Sequence, residues 1–321
     1  MNVLGIETSC DETAASVVVN GRLVLSNVVA TSLKDHQKYG GIIPEIASRR
    51  QLELISLVTT EALDKAKFKL AAIDMIAVTR KPGLIGSLLV GISFARALSF
   101  ALDKPLIEVD HIKAHIYANF LRFPSDQSPQ PKLPAIGLVV SGGHSSLYHI
   151  RDFDDFELIG QTRDDAVGEA FDKVARILDL GYPGGPVIDR LAKEGMDTDI
   201  RFPKAALPGN YDFSFSGVKT AVLYYVNKHR ATSGFNVAHV AYAFQKSVVD
   251  ILIEKCLTVC RKRRIKTLLI GGGVAANSAL REGMKGEAAL ENMDVHFPPM
   301  TLCLDNAAMI AGLGYHLRRR K

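Results

Sequence analysis

The sequence predicts an α/β protein built from two lobes, each containing a mixed β-sheet. Apolar segments with the length of strands alternate with helical segments along the chain. The length of 321 residues exceeds the roughly 250–300 at which a single hydrophobic core stops growing. Both halves also open on the same strand–turn–strand pattern. This similarity suggests an internal duplication, although two unrelated hairpins would give the same pattern.

The first half begins with three predicted strands. An apolar strand at 3–7 is followed by a small polar turn at 8–13 and a second strand at 14–19. Asn20-Gly21 is a strong hairpin signal and predicts a third strand at 23–29. The other predicted elements are a helix at 44–67 opened by Pro44, a strand at 73–79, a helix at 84–102, a strand at 106–109 and a helix at 110–121 that Asp110 can cap.

The helix at 84–102 is the most apolar part of the chain. Gly, Ser and Arg96 interrupt it, whereas a membrane span needs about 20 apolar residues with few charges. We therefore expect a buried helix in a soluble protein. Residues 1–6 have no basic region ahead of their apolar run and predict a strand, not a signal peptide.

A proline-rich stretch at 123–134 predicts the boundary between the lobes. We expect lobes at 1–128 and 129–321, with the final helix able to pack back on the first lobe. The predicted elements of the second half are a strand–turn–strand at 133–150, helices at 164–180 and 239–263, a strand at 267–270 and a last helix at 305–319.

The composition is that of an ordinary globular protein. Hydrophobic residues make up 47% and charged residues 23%, which argues against intrinsic disorder. The net charge of +5 permits a polyanionic partner but does not require one. The four cysteines are too few and too scattered for a disulfide framework, so we expect a reducing compartment.

A candidate metal site involves His111 and His115. Their spacing of four places both imidazoles on one face of a predicted helix, directly after a strand. A pair of solvated histidines is the alternative. Asp305 is a candidate third ligand, and two His with one carboxylate suit non-haem iron(II), then zinc. The residue after His111 is Ile112 and not Glu, which disfavours a zinc peptidase.

Several glycine-rich loops could bind phosphate or a purine. Ser141-Gly142-Gly143-His144 lies at a predicted hairpin tip, where a plain tight turn is the alternative. Gly271-Gly272-Gly273 follows a strand and precedes a helix. Pro183-Gly184-Gly185-Pro186 is another loop whose small residues allow a ligand to approach the backbone closely.

Three polar residues accompany these loops. Asn277 can bind a ribose or a base edge, or it can cap a helix. Asp172 can be a ribose ligand or pair with Arg176. Asp189 lies one helical turn after the 183–186 loop. Two basic clusters, 261–264 and 318–321, either compensate helix dipoles or contact a nucleic-acid backbone.

Taken together and in order, these motifs resemble one family. The matching segments are 5–13, Tyr39-Gly40-Gly41 with Pro44-Glu45, Pro82-Gly83-Leu84, 111–115, 141–144, 165–173, 181–186, 271–277 and 305–309. The sequence resembles the tRNA N6-adenosine threonylcarbamoyltransferases, formerly described as O-sialoglycoprotein endopeptidases. The histidine at position 144 resembles that of the bacterial or organellar branch of this family. Arg80-Lys81 stand where that family usually has smaller residues.

The resemblance implies a fold and a reaction. Two lobes of related RNase H-like, actin-like (ASKHA superfamily) fold would surround a central nucleotide cleft. The threonylcarbamoyl group of threonylcarbamoyl-AMP would pass to N6 of the adenosine 3′ of the anticodon in tRNAs reading ANN codons, with release of AMP. A kinase or ATPase of the same superfamily acting on a small molecule is the alternative, and it leaves the His pair unexplained.

The resemblance also implies site residues and partners. One divalent metal, Fe²⁺ first and Zn²⁺ or Mg²⁺ as alternatives, would be held by His111, His115 and Asp305. Asp11 and Glu12 could remove a proton from the amine, or could serve only an Asx turn. Expected partners are tRNA, a degenerate paralogue, a small ATPase and the synthase of the adenylate, in the cytoplasm and without a membrane. The intermediate would contact Val139, Val140, Ser141, Gly142, Gly143, Asp172, Gly185, Asp189 and Asn277.

Overall fold

The computed structural model describes residues 1–37, 39–204 and 210–318. The chain divides into two compact units. Unit 1 contains residues 1–130, 153–155 and the chain from 298 onward, and unit 2 contains 131–152 and 156–297. The chain therefore first passes from unit 1 to unit 2 between residues 130 and 131, inside the proline-rich stretch predicted as the boundary. The expected second lobe, 129–321, differs from unit 2 at its end, because the segment from 298 belongs to unit 1.

Unit 1 is built on a five-stranded mixed sheet in the order β3-β2-β1-β4-β5. β1 pairs antiparallel with β2 and parallel with β4, and β4 pairs parallel with β5. The predicted turn at Asn20-Gly21 is confirmed, since both residues have positive φ. The strands are β1 (Asn2–Glu7), β2 (Glu12–Val19), β3 (Leu23–Thr31), β4 (Met75–Lys81) and β5 (Leu106–Asp110).

Helices cover both faces of this sheet. The five helices of unit 1 are α1 (Leu33–Gln37), α2 (Pro44–Ala66), α3 (Ile85–Leu102), α4 (His111–Tyr117) and α10 (Ala307–Leu317). Leu4 and Ile6 of β1 pack in the core beneath α2 and α3, while Gly5 faces α10. A Cβ on Gly5 would lie 2.2 Å from the carbonyl oxygen of Ala307, so α10 can approach β1 only because that residue is glycine.

The prediction that the 84–102 helix is buried is wrong. α3 forms as expected, but among its residues only Ser87, Gly91 and Ala95 are buried. Phe100 is 91% exposed and Ile85 80% exposed. α3 is long and apolar enough to cross a membrane by length and composition, yet here it packs on α2 and β4, with Ala95 in the core and Val90, Phe94 and Leu98 partly buried against it. Hydropathy alone predicted burial and could not show that this helix presents large apolar side chains outward.

Unit 2 repeats the topology of unit 1. Its sheet has the order β10-β9-β6-β7-β8, with β6 antiparallel to β7 and parallel to β9, and with β9 parallel to β10. This order maps onto β5-β4-β1-β2-β3, so the expected internal duplication is confirmed in the topology. The strands are β6 (Ala135–Val140), β7 (Ser145–Asp152), β8 (Asp155–Gln161), β9 (Thr267–Gly271) and β10 (Asp294–His296).

The helices of unit 2 surround its sheet. They are α5 (Val167–Ile177), α6 (Gly184–Ala192), α7 (Ser216–His229), α8 (Val237–Arg263) and α9 (Ser278–Leu290). α8 packs against β6 and β9 and also against α6 and α9. The sequence pattern did not predict β8, β10 or α7, because these elements have mixed polarity or only three residues and depend on their neighbours for order.

Candidate active site

The start of α4 fixes the two candidate histidines at the carboxyl end of β5. Asp110 caps the helix, and its Oδ1 accepts hydrogen bonds from the N–H groups of Ile112 and Lys113. His111 and His115 then lie one turn apart on the same face, with ring centroids 4.6 Å apart. Both histidines are buried, so the alternative of two solvated histidines is wrong.

Asp305 completes a cluster with both imidazoles. Its Oδ1 lies 3.1 Å from His115 Nε2 and 3.4 Å from His111 Nε2. Two ligand atoms bound 2.0–2.2 Å from one ion at 90–110° are about 2.8–3.6 Å apart, so both separations from Asp305 are compatible with a shared metal, and all three ligand atoms lie within 4.8 Å of one another. Asp305 directly precedes α10, whose close contact with Gly5 brings it to this position. All three residues belong to unit 1.

Glu7 lies behind His111 and orients it. The carboxylate is fully buried, and its Oε2 is 3.0 Å from His111 Nδ1 and accepts from Thr79 Oγ1 at 2.5 Å. Its other oxygen accepts from the Ser9 N–H. With Nδ1 protonated toward Glu7, the lone pair of His111 Nε2 points to Asp305, as metal binding requires. Sequence reasoning missed this role; the available signal was a carboxylate at the end of an otherwise apolar strand.

The electrostatics of the cluster favour a positive charge. Burial acts to lower the pKa of His111, but the carboxylates of Asp305 and Glu7 outweigh it and hold this pKa well above its usual value. For Asp305, burial acts to raise the pKa, and the two histidines outweigh it so that the pKa is lowered. Two carboxylates around two imidazoles thus suit a divalent cation.

Asp11 and Glu12 lie in and next to the turn that precedes β2. Gln51 of α2 holds this turn, because its Nε2 donates to the carbonyl oxygens of Cys10 and Glu12, each at 2.9 Å. Burial, followed by the charges of Asp305 and Asp11, raises the pKa of Glu12 well above its usual value. The structure therefore brings Glu12 into the electrostatic field of the metal cluster, and Gln51 is a supporting residue that sequence reasoning missed.

In unit 2, the predicted phosphate loop is the tip of the β6–β7 hairpin. Val139 and Val140 are buried at the end of β6, and the Ser141 N–H donates to the carbonyl oxygen of His144 at 2.8 Å. No atom lies within 4 Å of a Cβ built on Gly142 or Gly143, so this side of the turn is open. The hairpin prediction is confirmed.

Two further glycines bring other segments against this turn. Gly272 has φ +90°, and a Cβ there would lie 2.4 Å from the carbonyl oxygen of Val140. Gly168, in the first turn of α5, donates its N–H to the carbonyl oxygen of Ser141 at 3.1 Å. The loop after β9 and the N-terminus of α5 therefore meet at the β6–β7 turn, where backbone N–H groups can bind an anion.

Asp172 connects α5 with α6. Its Oδ1 accepts a 2.7 Å hydrogen bond from the N–H of Gly184, a partner that neither sequence alternative included. Burial raises the pKa of Asp172, although the Gly184 N–H and the charge of Arg176 oppose the shift. Gly185 is open on its Cβ side, with no atom within 4 Å.

The side chains of Asp189 and Asn277 both bind the first turn of α9. Asp189 accepts from both the hydroxyl and the N–H of Ser278. Asn277 caps α9, with Oδ1 accepting from the Leu280 N–H and Nδ2 donating to Gln245 Oε1 at 2.8 Å. The capping role expected as an alternative for Asn277 is therefore confirmed, while its role toward a ligand stays a prediction.

The loop before α5 is fixed by an ion-pair network. Asp165 accepts from Lys173 at 2.5 Å and from Lys219 at 2.7 Å. Partial burial acts to raise its pKa, but the two lysines outweigh burial and lower it. This network ties α5 to α7 and supports the glycine-bearing N-terminus of α5.

The basic cluster at 261–264 lies at the other end of the unit 2 sheet. It ends α8 just before the amino end of β9, whereas Gly271 and Gly272 follow the carboxyl end. Arg261 pairs with Glu291, and Arg263 pairs with Glu157. The position at the C-terminus of α8 and these ion pairs agree with dipole compensation, and contact with a nucleic-acid backbone stays a prediction. In the second cluster, residues 319–321 lie outside the described residues.

Comparisons with known proteins agree with this geometry. Full-length HypF in its phosphate- and nucleotide-bound form superposes with a TM-score of 0.65 at 14% identity, covering 99% of this chain and 55% of that one. Component A of the (R)-2-hydroxyglutaryl-CoA dehydratase of Acidaminococcus fermentans gives a TM-score of 0.55 at 14% identity and covers both chains fully. At such low identity these matches show a shared two-lobe α/β fold and nothing further.

Sequence matches are far closer. A protein from Clostridium botulinum with the name tRNA N6-adenosine threonylcarbamoyltransferase is 51% identical over 317 residues, which is 98% of this chain and 92% of that one. Its namesake from Clostridium kluyveri is 49% identical over 318 residues, with the same coverage. A family model with this description matches residues 23–312. Since these matches span nearly the whole chain, including all three residues of the candidate metal cluster, the chain belongs to the tRNA N6-adenosine threonylcarbamoyltransferase family.

Proposed function

We propose that this chain transfers the threonylcarbamoyl group of threonylcarbamoyl-AMP to N6 of the adenosine 3′ of the anticodon in tRNAs reading ANN codons, releasing AMP. Family membership supports the transferase activity and the tRNA substrate. The observation that carries the proposal is the convergence of His111, His115 and Asp305. A kinase of the same fold class has no need for such a cluster, because it relies on magnesium held by carboxylates and phosphates.

The proposed cofactor is one divalent metal, with Fe²⁺ first and Zn²⁺ or Mg²⁺ as alternatives. His111, His115 and Asp305 would hold it, and Glu7 would fix the tautomer of His111. Two imidazoles and one carboxylate leave coordination positions open, which suits iron or zinc. When bound, the metal supplies Lewis acidity toward an oxygen of the substrate.

The protein residues would supply positioning and proton removal. The N6 amine of adenine is a poor nucleophile because its lone pair is delocalised into the ring, so it must be held against the carbonyl carbon. Glu12 is a candidate base, since burial and then the charges of Asp305 and Asp11 raise its pKa and so make its carboxylate a stronger proton acceptor. Asp11 is the second candidate from the same turn.

We propose that unit 2 holds the intermediate and the departing AMP. The open turn at Ser141, Gly142 and Gly143 offers N–H groups to phosphate, as does the open start of α6 at Gly185. Val139, Val140, Asp172, Asp189 and Asn277 surround or support this region. The identical strand order of the two sheets supports an actin-like origin for both units, and the nucleotide cleft stays a prediction.

The expected protein partners stay proposals, and the structure offers one surface for them. α2 and α3 pack together and present Leu52, Leu57, Leu89 and Phe100, each more than half exposed. An apolar surface of this kind suits a permanent partner, and we propose that the degenerate paralogue binds there. The small ATPase and the adenylate synthase are further proposed partners. All four cysteines are free thiols, in keeping with the proposed cytoplasmic location.

The decisive experiment is reconstitution of the reaction. The chain is incubated with its partners, threonine, bicarbonate, ATP and unmodified tRNA, and the digested nucleosides are then identified by mass. We expect threonylcarbamoyl-adenosine with the unaltered chain and none with His115→Ala, while adenylate synthesis continues. His229→Ala, on α7, is the matched control and should retain activity. No product from the unaltered chain with competent partners would refute the proposed function.

A further inference from the structure

A small cavity of about 240 Å³ lies in unit 1 beside the helix that carries the histidines. It is found at the carboxyl ends of β4 and β5, where Lys81 is the register partner of Asp110. Leu313 and Leu317 of α10 contribute an apolar wall. Ligands in α/β proteins commonly bind at this edge of a sheet. The volume is below the roughly 300–1,000 Å³ of pockets for drug-sized molecules, so it suits a single small group.

The charges around the cavity are arranged with cations outward. Glu108 lies between Arg80 and Arg96, at 2.9 Å and 3.0 Å, and its side chain is 25% exposed against 65% for each arginine. The carboxylate of Asp110 is occupied by the N–H groups at the start of α4. Glu108 is therefore paired with Arg80 and Arg96, and Asp154 is a further carboxylate of the cavity wall, so Arg80 offers an anion only the guanidinium donors that Glu108 does not use.

Lys81 adds a second cation next to Arg80. Its side chain is exposed, and it makes no ion pair with any residue in the part of the chain that the structure describes. Lys113 of α4 also lines the cavity. Asp110 lines the cavity and directly precedes His111, so the cavity lies at the start of the helix that carries the candidate metal ligands.

We propose that Arg80 and Lys81 bind a backbone phosphate of the tRNA close to the adenosine that is modified. This inference rests on the proposed function. A planar guanidinium with unused donors and a mobile ammonium are the two groups that most often bind phosphodiester oxygens. The contact positions the RNA without reading its sequence.

The test compares Lys81→Gln and the double variant Arg80→Gln/Lys81→Gln with Lys104→Gln. Lys104 is a partly exposed lysine two residues before β5, so it controls for net charge. Binding of unmodified tRNA to the full chain is measured over a series of salt concentrations. Each lost phosphate contact should reduce the slope of log K against log salt by about 0.7–0.9, and Lys104→Gln should leave the slope unchanged. In the reconstituted reaction the KM for tRNA should rise several-fold with kcat unchanged.

Three outcomes would overturn the proposal. One is a salt slope and a KM for both variants equal to those of the unaltered chain. Another is weaker binding of ATP or AMP with unchanged tRNA binding, which would make the cavity a site for free nucleotide. The third is unchanged tRNA binding with weaker association of a protein partner. The tRNA-binding measurement requires no turnover. If the unaltered chain makes no product, the proposed function is refuted, while the salt dependence of tRNA binding still tests the phosphate contact on its own.

Discussion

Glu7→Gln is expected to weaken metal binding while the fold is retained. The Glu7 carboxylate accepts from three donors, namely Ser9 N–H, Thr79 Oγ1 and His111 Nδ1. An amide of the same shape has one oxygen for these donors, and its NH₂ must face another donor. The simplest relief is a tautomer change of His111, which protonates Nε2 and removes the lone pair that faces Asp305.

The expected loss follows from the role of such orienting carboxylates. Replacing a hydrogen-bond partner of a metal-bound histidine typically weakens metal binding 10–100-fold, which is about 1.4–2.7 kcal/mol. The assay is calorimetric titration of the metal-free full chain with Zn²⁺ as the probe, with circular dichroism to verify folding. Glu61→Gln, at an exposed position of α2 where the carboxylate pairs only with Lys65 among described residues, is the matched control. If Glu7→Gln binds Zn²⁺ as tightly as the control, the orienting role is refuted.

Three further changes test other parts of the site. Asp165→Asn should lower the free energy of unfolding by about 1–2 kcal/mol at pH 7. Because the pKa of Asp165 is lowered in the folded state, its carboxylate stabilises the fold above the unfolded pKa near 3.9, and this contribution is lost as pH falls through the folded pKa. The unfolding free energies of the two forms, measured by chemical denaturation, should therefore converge at acid pH. Gly272→Ala should lower the thermal unfolding midpoint and abolish AMP binding, because the new Cβ would meet the backbone of Val140 at a residue with positive φ. The control Gly286→Ala lies in open space on α9 and should raise the free energy of unfolding by about 0.5–1 kcal/mol. Gln51→Leu should lower the free energy of unfolding by about 1–3 kcal/mol and reduce kcat at saturating tRNA, since the carbonyl groups of Cys10 and Glu12 lose their hydrogen-bond donor. An unchanged kcat would contradict a role for that turn in the reaction.

Local signals predicted much of the fold. The Asn20-Gly21 turn, the Pro44 helix start and the Asp110 cap were all visible in the sequence, because each depends on the conformational preference of one or two residues. The pairing of the two candidate metal ligands was visible for the same reason, since helical spacing alone places His111 and His115 together. What the sequence could not show is that Gly5 allows α10 to approach β1 and so delivers Asp305, because the contact joins Gly5 to Ala307, 302 positions along the chain.

Other parts depended on packing that no local pattern encodes. The sequence suggested a ribose ligand or an ion pair with Arg176 for Asp172, whereas its side chain accepts from the Gly184 N–H, a contact that only the packing of α5 against α6 creates. The apolar composition of α3 predicted burial, but burial is decided by what covers a helix. Gln51 had no signal at all, because a glutamine within a helix is ordinary until its partners are known.

The order of the chain has a consequence for how the protein is made. His115 and Asp305 are separated by 190 residues, and the whole of unit 2 is translated between them. A nascent chain therefore carries both imidazoles long before their carboxylate partner leaves the ribosome. A prematurely terminated chain, even one with all five strands of the first sheet, would therefore lack the carboxylate of the proposed metal centre, and an ion held by all three side chains could bind only in the last stages of synthesis.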